Sequence, residues 1–389
     1  MHICKFFSNF ARNLLKKVKN SLNNTLMLYT LCSQHLHTET TDMPFKVSDS
    51  FVAENQVISI LTGGTEDQFL ELVREKKIDL AKPVYLMVSG FSNSLPAALE
   101  ILSYIRQNKG VGKIMHYAED VVIPDVTDTE SLTRTPLEKV LKNEKKQRLG
   151  IVGKPSDWLI ASQVNYKDVL DKMNFELVDI PFEELSSLGV VDPGMKGAEA
   201  IYGRLKEIIT KHQLDGISLR CFDLLSTVQN TGCLAVSKLN DEGIPAACEG
   251  DIPALLTMMV CKKLTGEKCF IGNPSRVESD GRILLAKCTV ALSLTEKHEF
   301  TTHFESGIGV AIHGELPSGD YTLVKLGYAM KRLLAVNVKV TGCQYEKNLC
   351  RTQVWIKTTP IVSQYFHTSP LSNHHVLIPG HHAAKFWRP

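Results

Sequence analysis

The 389-residue sequence has no run of 18 or more apolar residues, so it predicts no transmembrane helix and no membrane partner. Its ten cysteines never form a Cys-x-x-Cys pair, and several lie inside apolar runs. This distribution argues against a secreted disulfide framework and against a structural zinc site. Small buried thiols of this kind are typical of a cytoplasmic protein, which is the location we expect.

Several signatures of function are also missing. No dense basic stripe with interleaved aromatic residues is present, so nucleic acid is not an expected partner. Gly63-Gly64-Thr65 is followed by neither Gly-Lys-Ser/Thr nor Gly-x-Gly-x-x-Gly, so we expect no nucleotide and favour a turn beside a polar ligand such as a sugar. His298-Glu299 and His303 miss the zinc-protease helix motif, because the second histidine lies five residues after the first rather than four.

What the sequence does contain is a soluble globular composition, with 43% hydrophobic and 22% charged residues. Strand, small-residue loop and helix alternate through residues 56–107 and again through 149–260, which is typical of parallel α/β sheets. After residue 266 the strands are short and punctuated by Gly, Pro and Asn. We therefore predict an α/β fold in which two parallel-sheet domains precede a β-rich, antiparallel barrel-like domain, with boundaries at 44–147, 148–265 and 266–389.

The first 42 residues are basic, since five Lys or Arg residues precede the first acid, Glu39. Apolar residues here fall at helical spacing, which fits an organellar presequence, a surface-associated helix or an upstream extension with the start at Met43. We favour the extension and predict that residues 1–43 are not part of the fold.

The most informative stretch is residues 241–260, which reads as a loop, a buried strand end and an apolar helix. Asp251 is a good N-cap and Pro253 is tolerated in a first turn. Glu249 lies where strand meets helix, and ligands bind at such carboxyl ends in open α/β sheets. A carboxylate in so apolar a setting needs a metal ion or a proton, or alternatively a lysine or backbone amides, against it.

Three clusters of polar residues follow predicted strands: Glu249 with Asp251, Asn273 to Arg276 with Glu278 and Asp280, and His374 with His375. Carboxylate oxygens and an imidazole suit Mn²⁺, Mg²⁺ or Fe²⁺. Such an ion can polarise a carbonyl while a carboxylate moves a proton. The alternative for the two histidines is a pair of surface imidazoles near the terminus.

Residues 247–258 resemble the metal-site segment of the L-fucose isomerase and L-arabinose isomerase superfamily, in which Glu-Gly-Asp or Glu-Ser-Asp opens an apolar helix. Arg220-Cys221-Phe222 resembles the strand end that precedes that segment, and Asn373-His374-His375 resembles the C-terminal histidine segment. The likeness runs from about residue 44 to 380 and is closest to the shorter fucose isomerase-related proteins.

The resemblance implies an aldose–ketose isomerase that uses a metal-assisted enediol mechanism and forms a homotrimer or homohexamer. Its implied metal ligands are Glu249, Asn273 and His375, or His374 in place of His375, and the implied ion is Mn²⁺, with Mg²⁺ or Fe²⁺ as alternatives. Glu249, as acid/base, and Asn273 are the implied catalytic residues. The residues that we expect to bind the sugar are Arg220, Asp251, Arg276, Lys287, His303 and His374.

Two residues depart from the family pattern. Asn273 stands where the relatives have an aspartate, and an amide cannot carry the second proton, so Glu278, Asp280 or Glu305 would have to replace it. Lys287 stands about where arabinose isomerases have another metal-binding histidine, and it would repel a cation or replace its charge. These departures keep two alternatives open: a non-catalytic sugar-binding or regulatory protein, and a related epimerase or lyase.

Overall fold

The computed structural model describes residues 27–33, 56–116 and 129–387. The helices are α1 (Glu66–Arg74), α2 (Ser94–Gln107), α3 (Glu138–Leu141), α4 (Tyr166–Met173), α5 (Glu183–Ser186), α6 (Met195–His212), α7 (Asp223–Thr227), α8 (Cys233–Asp241), α9 (Ile252–Thr265), α10 (Pro360–Thr368) and α11 (Ala383–Trp387). Within these ranges no helix is both long enough and apolar enough to cross a bilayer.

The strands are β1 (Met27–Leu31), β2 (Gln56–Ile60), β3 (Val84–Val88), β4 (Gly112–His116), β5 (Thr133–Arg134), β6 (Gln147–Val152), β7 (Phe175–Ile180), β8 (Gly216–Leu219), β9 (Ala246–Cys248), β10 (Phe270–Val277), β11 (Arg282–Lys287), β12 (Lys297–Thr301), β13 (Ala311–Glu315), β14 (Gly319–Leu326), β15 (Leu333–Gln344), β16 (Thr352–Lys357) and β17 (His375–Pro379). They form two parallel sheets, a barrel and a separate β12–β13 hairpin.

The first parallel sheet has the order β1-β2-β3-β4. Its edge strand β1 pairs with β2 in parallel, with Leu31 opposite Ile60. The prediction that residues 1–43 stand outside the fold is therefore wrong for residues 27–31. This run is short and has a neighbour on one side only, so its apolar pattern is weak. The rest of the predicted extension lies outside the described residues.

The second parallel sheet has the order β7-β6-β8-β9. Both neighbours of β6, namely β7 and β8, run parallel to it. The chain adds β7 on one side of β6 and then β8 and β9 on the other, so the strand order reverses at β6. In such a sheet the loops at the carboxyl ends diverge and leave a crevice. Glu249 follows β9 at this edge.

The C-terminal part is a closed antiparallel barrel in the order β14-β17-β10-β11-β16-β15, with β14 pairing back to β15. The predicted α/β architecture with a barrel-like C-terminal region is confirmed. Sequence reasoning did not find β17, which pairs with both β10 and β14 and so closes the barrel. A bulge between Pro274 and Arg276 interrupts the ladder of β10, because proline has no N–H to donate.

Helix α9 lies between the second sheet and the barrel, in contact with β8, β9, β14 and β17. It is buried from Ile252 to Cys261, as expected for a helix that is apolar all round. Asp251 caps it by accepting a hydrogen bond from the Ala254 amide at 2.7 Å, and Gly266 ends it in the left-handed conformation. The predicted helix start is therefore confirmed, and it fixes where the preceding acid lies.

Candidate active site

One pocket brings together the loops that follow strands of both parallel sheets and one side of the barrel. Residues from the first sheet's loops are Gly63, Gly64, Glu66 and Asn93; those from the second are Trp158, Cys221, Phe222 and Glu249; and those from the barrel region include Asn273, Lys287, Thr289, His303, Glu305 and Asn373. Parallel α/β sheets commonly bind ligands at these carboxyl-end loops. The Gly63-Gly64 turn that we expected beside a polar ligand lies in this pocket.

The turn between β9 and α9 positions Glu249. Both Glu249 and Gly250 adopt left-handed backbone conformations, with φ of 63° and 68°. A non-glycine residue rarely adopts this conformation, and it persists where the surrounding structure enforces it. The turn directs Glu249 into the pocket and leaves Asp251 buried behind it, at the start of α9.

Substituting Gly250→Ala is expected to destabilise the protein by about 2 kcal/mol or more. An added Cβ would lie 2.6 Å from the Lys154 carbonyl oxygen and 2.8 Å from Pro155 Cα, and both are backbone atoms. Urea denaturation would measure the loss. Gly243→Ala is the matched control, because Gly243 has a φ of 77° and no atom within 4 Å of the added Cβ. Equal losses in the two variants would contradict a backbone clash at Gly250.

The Glu249 carboxylate has three side-chain partners. Trp158 Nε1 donates to Oε2 at 2.8 Å, while Lys287 Nζ and, at 3.3 Å, His374 Nε2 contact Oε1. Burial alone would raise the pKa of Glu249, but Lys287 and His374 outweigh it and hold the pKa well below its ordinary value. Glu249 is therefore ionised. Of the possibilities posed by the sequence, the structure places a lysine against it.

A buried row of charged groups continues behind Glu249. His374 Nδ1 contacts Asp251 Oδ2 at 2.7 Å, and His374 Nε2 lies 2.7 Å from Lys287 Nζ. Burial and Lys287 lower the pKa of His374, while Glu249 and Asp251 raise it. The 2.7 Å contact between Lys287 Nζ and His374 Nε2 needs a lone pair on one of the two nitrogens, so the two side chains are not both cations in this arrangement. The Lys287 ammonium donates to a neutral imidazole, whose Nδ1–H donates to Asp251.

A second carboxyl group, that of Glu305, lines the same pocket as Glu249. Burial, followed by the charge of Glu249, raises the pKa of Glu305 to about 8, and its Oε1 accepts a hydrogen bond from Asn93 Nδ2 at 2.7 Å. Burial also raises the pKa of Glu66 well above its ordinary value. The pocket therefore presents the ionised Glu249 together with two carboxyl groups, Glu305 and Glu66, whose pKa values are raised. Glu305 was a candidate for the missing acid, whereas Glu66 was missed although it directly follows the Gly63-Gly64-Thr65 turn.

Three buried polar atoms of the pocket residues have no hydrogen-bond partner within the described part of the chain: Asn93 Oδ1, Thr289 Oγ1 and Asn373 Oδ1. The amide of Asn273 is already used, since its Oδ1 accepts from Asn373 Nδ2 at 3.0 Å. Buried polar groups are almost always paired in folded proteins. Unpaired polar atoms beside carboxyl groups suit a ligand that carries several hydroxyl groups.

The other predicted site residues are distributed between this pocket and other places. His303 lies in the pocket wall, and its ring packs edge-on against Phe222. Arg276 does not line it; Arg276 instead makes a two-point ion pair with Glu346.

Arg220 also lies outside the pocket, next to Cys221, which lines it. Its guanidinium bonds Asp157 at 2.8 Å and Asp223 at 2.9 Å. Both predicted arginines are thus neutralised by carboxylates, which leaves Lys287 as the basic side chain in the pocket wall.

His375 is buried away from Glu249. Its Nδ1 lies 2.5 Å from the Asn373 carbonyl oxygen and its Nε2 lies 3.0 Å from the Tyr365 hydroxyl. His374 is equally buried, so the alternative of two surface imidazoles is wrong. Strand β17 carries the tail into the barrel wall, which explains why both histidines are buried. Consecutive side chains of an extended chain point to opposite faces, which explains why His374 and His375 have different partners.

The residues that the resemblance implied for a metal do not fit a divalent ion. Both ring nitrogens of His375 already have partners, as do both of the alternative ligand His374, and Lys287 Nζ contacts Glu249 Oε1. Across the described ranges no three His, Cys, Asp or Glu side chains are arranged to hold a metal ion.

Comparison with known proteins gives two distant relatives. A protein of Alkalicoccus urumqiensis named sulfoquinovose isomerase is 22% identical over 169 residues, which are 42% of this chain and 38% of that protein. A protein of Clostridium sp. (strain MSTE9) with the same name is 29% identical over 116 residues, which are 29% of this chain and 24% of that protein. No protein-family pattern matches the chain. The chain therefore shows weak homology, over less than half its length, to proteins named as sugar isomerases.

Proposed function

We propose that this protein is a sugar isomerase that interconverts an aldose and a ketose through an enediol, with Glu249 as the base. The names of the two relatives support the reaction class. The observation that carries the proposal is the pair Glu249 and Glu305, which face one pocket with pKa values shifted in opposite directions. Carboxyl groups separated in this way are suited to act as base and acid at one pH.

In the proposed reaction, Glu249 removes the proton from C2 of an open-chain aldose while Glu305 donates its proton to O1. The C2–H electron pair forms the C1–C2 double bond of the enediol, and the carbonyl π pair becomes the O1–H bond. Glu249 then delivers its proton to C1, and Glu305 recovers a proton from O2 as the ketose carbonyl forms. Both residues end in the states in which they began, so no further reactant is needed.

A sugar must widen the pocket in order to bind. The enclosed space measures about 50 Å³. That is room for one or two water molecules. The segment that carries His303 and Glu305 forms one wall of the pocket, and outward movement of this segment would admit a ligand.

Proton NMR in D₂O tests the reaction. The protein would be incubated with a panel of aldoses, their phosphates and sulfoquinovose, with and without added Mn²⁺, and the Mn²⁺ would be removed before spectra are recorded. Deuterium beside the carbonyl together with new ketose is the expected result and identifies the sugar. Deuterium without ketose would replace the isomerase by an epimerase or a lyase.

A non-catalytic sugar-binding protein is the second candidate, because Lys287 already occupies one oxygen of the proposed base. It predicts calorimetric binding of a sugar by the wild-type protein with no deuterium exchange. It also predicts that the wild-type protein and Glu249→Gln both leave deuterium exchange at the rate seen without enzyme.

A further inference from the structure

We propose that the Lys287 ammonium is the fixed positive charge of this reaction centre and stands in place of a divalent metal ion. This inference rests on the proposed sugar isomerase function and assigns its electrophile. Negative charge develops on the carbonyl oxygen as the enediol forms, and a positive group beside that oxygen stabilises the charge while Glu305 delivers its proton. Of the residues that line the pocket, Lys287 is the one with a lysine or arginine side chain.

The position of Lys287 on β11 supports this role. The residue is buried, and its Nζ contacts Glu249 Oε1 and lies 2.7 Å from His374 Nε2. An ammonium has three N–H donors, so these two contacts leave one donor for an oxygen of the sugar. That donor would lie beside the carboxylate that moves the proton, which is the place where the carbonyl oxygen must bind.

The local charge balance favours an ammonium over a divalent ion. Burying Lys287 is costly unless a carboxylate compensates it, and Glu249 does so. A second buried lysine, Lys325, acts on Asp251 from the other end of the charged row. A divalent ion placed on Glu249 would be repelled by Lys287 and would have to displace it.

Direct metal binding tests the inference without any assay of activity. Mn²⁺ alone would be titrated into the full-length protein, and the free aquo ion would be followed by EPR. The wild-type protein is expected to show no Mn²⁺ binding that depends on Glu249. Lys287→His is expected to bind Mn²⁺ through the new imidazole, Glu249 and His374, and Glu249→Gln in the same background should remove that binding. Stoichiometric binding to the wild type that Glu249→Gln abolishes would overturn the inference.

Activity provides an independent arm. Isomerisation by the wild type should be unchanged by EDTA, and Lys287→Met should lower kcat by about 10²-fold or more. Because Lys287→Met removes the lysine partner of the buried Glu249 carboxylate, near-UV circular dichroism must first show a folded protein. The doubly substituted Glu249→Gln, Lys287→Met protein removes both charges, so a higher urea midpoint than that of Lys287→Met would show how much of the single variant's instability comes from the unpaired carboxylate.

The two proposals fail in different ways. If no sugar exchanges deuterium, the isomerase proposal fails, but the Mn²⁺ titration still decides whether Lys287 excludes a metal. If EDTA abolishes turnover and Mn²⁺ restores it, the isomerase proposal stands and the inference about Lys287 is wrong.

Discussion

Glu249→Gln is expected to lower kcat for sugar isomerisation by about 10³-fold while the protein remains folded. An amide cannot take the C2 proton, whereas its oxygen can still accept from Lys287 and so keep that ammonium bonded. Replacing the ion pair by a neutral contact should lower the free energy of unfolding by about 1–3 kcal/mol. Steady-state kinetics and urea denaturation would measure the two effects separately.

Glu176→Gln is the matched control for this variant. Glu176 lies on β7, and its partly exposed carboxylate pairs with Lys146 and Arg148 far from the pocket wall. This substitution should leave kcat unchanged, because partly exposed pairs of this kind contribute little. A Glu249→Gln protein that retains wild-type turnover would remove Glu249 as the base.

Local sequence signals predicted much of the fold. The Asp251 cap and Pro253 marked the start of α9 within one residue, and the strand–turn–helix rhythm identified β2, β3, β6 and β7. These features depend on neighbours in sequence, so periodicity and capping chemistry are sufficient to find them. Strand β17 escaped because its stability comes from pairing with β10 and β14, which lie 50 or more residues earlier in the chain.

The site was predictable only in part, since its charge balance is set by tertiary contacts. Glu249 could be singled out because it precedes a cap in an apolar stretch. That Lys287 lies against it depends on how the end of β11 meets the turn between β9 and α9, a tertiary contact that no local pattern reveals. The same holds for His374 and His375: they are adjacent in sequence, yet one bonds Asp251 and the other bonds Tyr365.

The second large effect is expected for Glu305→Gln, which should lower kcat by about 10²-fold and change its pH dependence. Burial and Glu249 raise the pKa of Glu305 to about 8, Asn93 and Lys287 oppose that rise, and His303 Nε2 lies 3.8 Å away. The neutral form is the acid, so wild-type kcat should fall as pH rises through about 8, and the variant should lack this alkaline limb. The control Glu278→Gln, which lies outside the pocket, should retain the fall of kcat at alkaline pH. If Glu305→Gln also retained that fall, another residue would be the acid.

The same ionisation must appear in stability, which provides a test that needs no substrate. Because the folded-state pKa of Glu305 lies above the unfolded value of 4.5, the folded protein binds the extra proton. The stabilisation that protonated Glu305 adds to the free energy of unfolding is complete below pH 4.5 and is lost as pH rises through about 8. A shift of this size corresponds to roughly 5 kcal/mol across the interval. The free energy of unfolding of Glu305→Gln would be subtracted from that of the wild type at each pH, which isolates this residue from the Lys287–Glu249 pair. A difference that does not change with pH would mean that Glu305 is ionised in the folded protein and cannot be the acid.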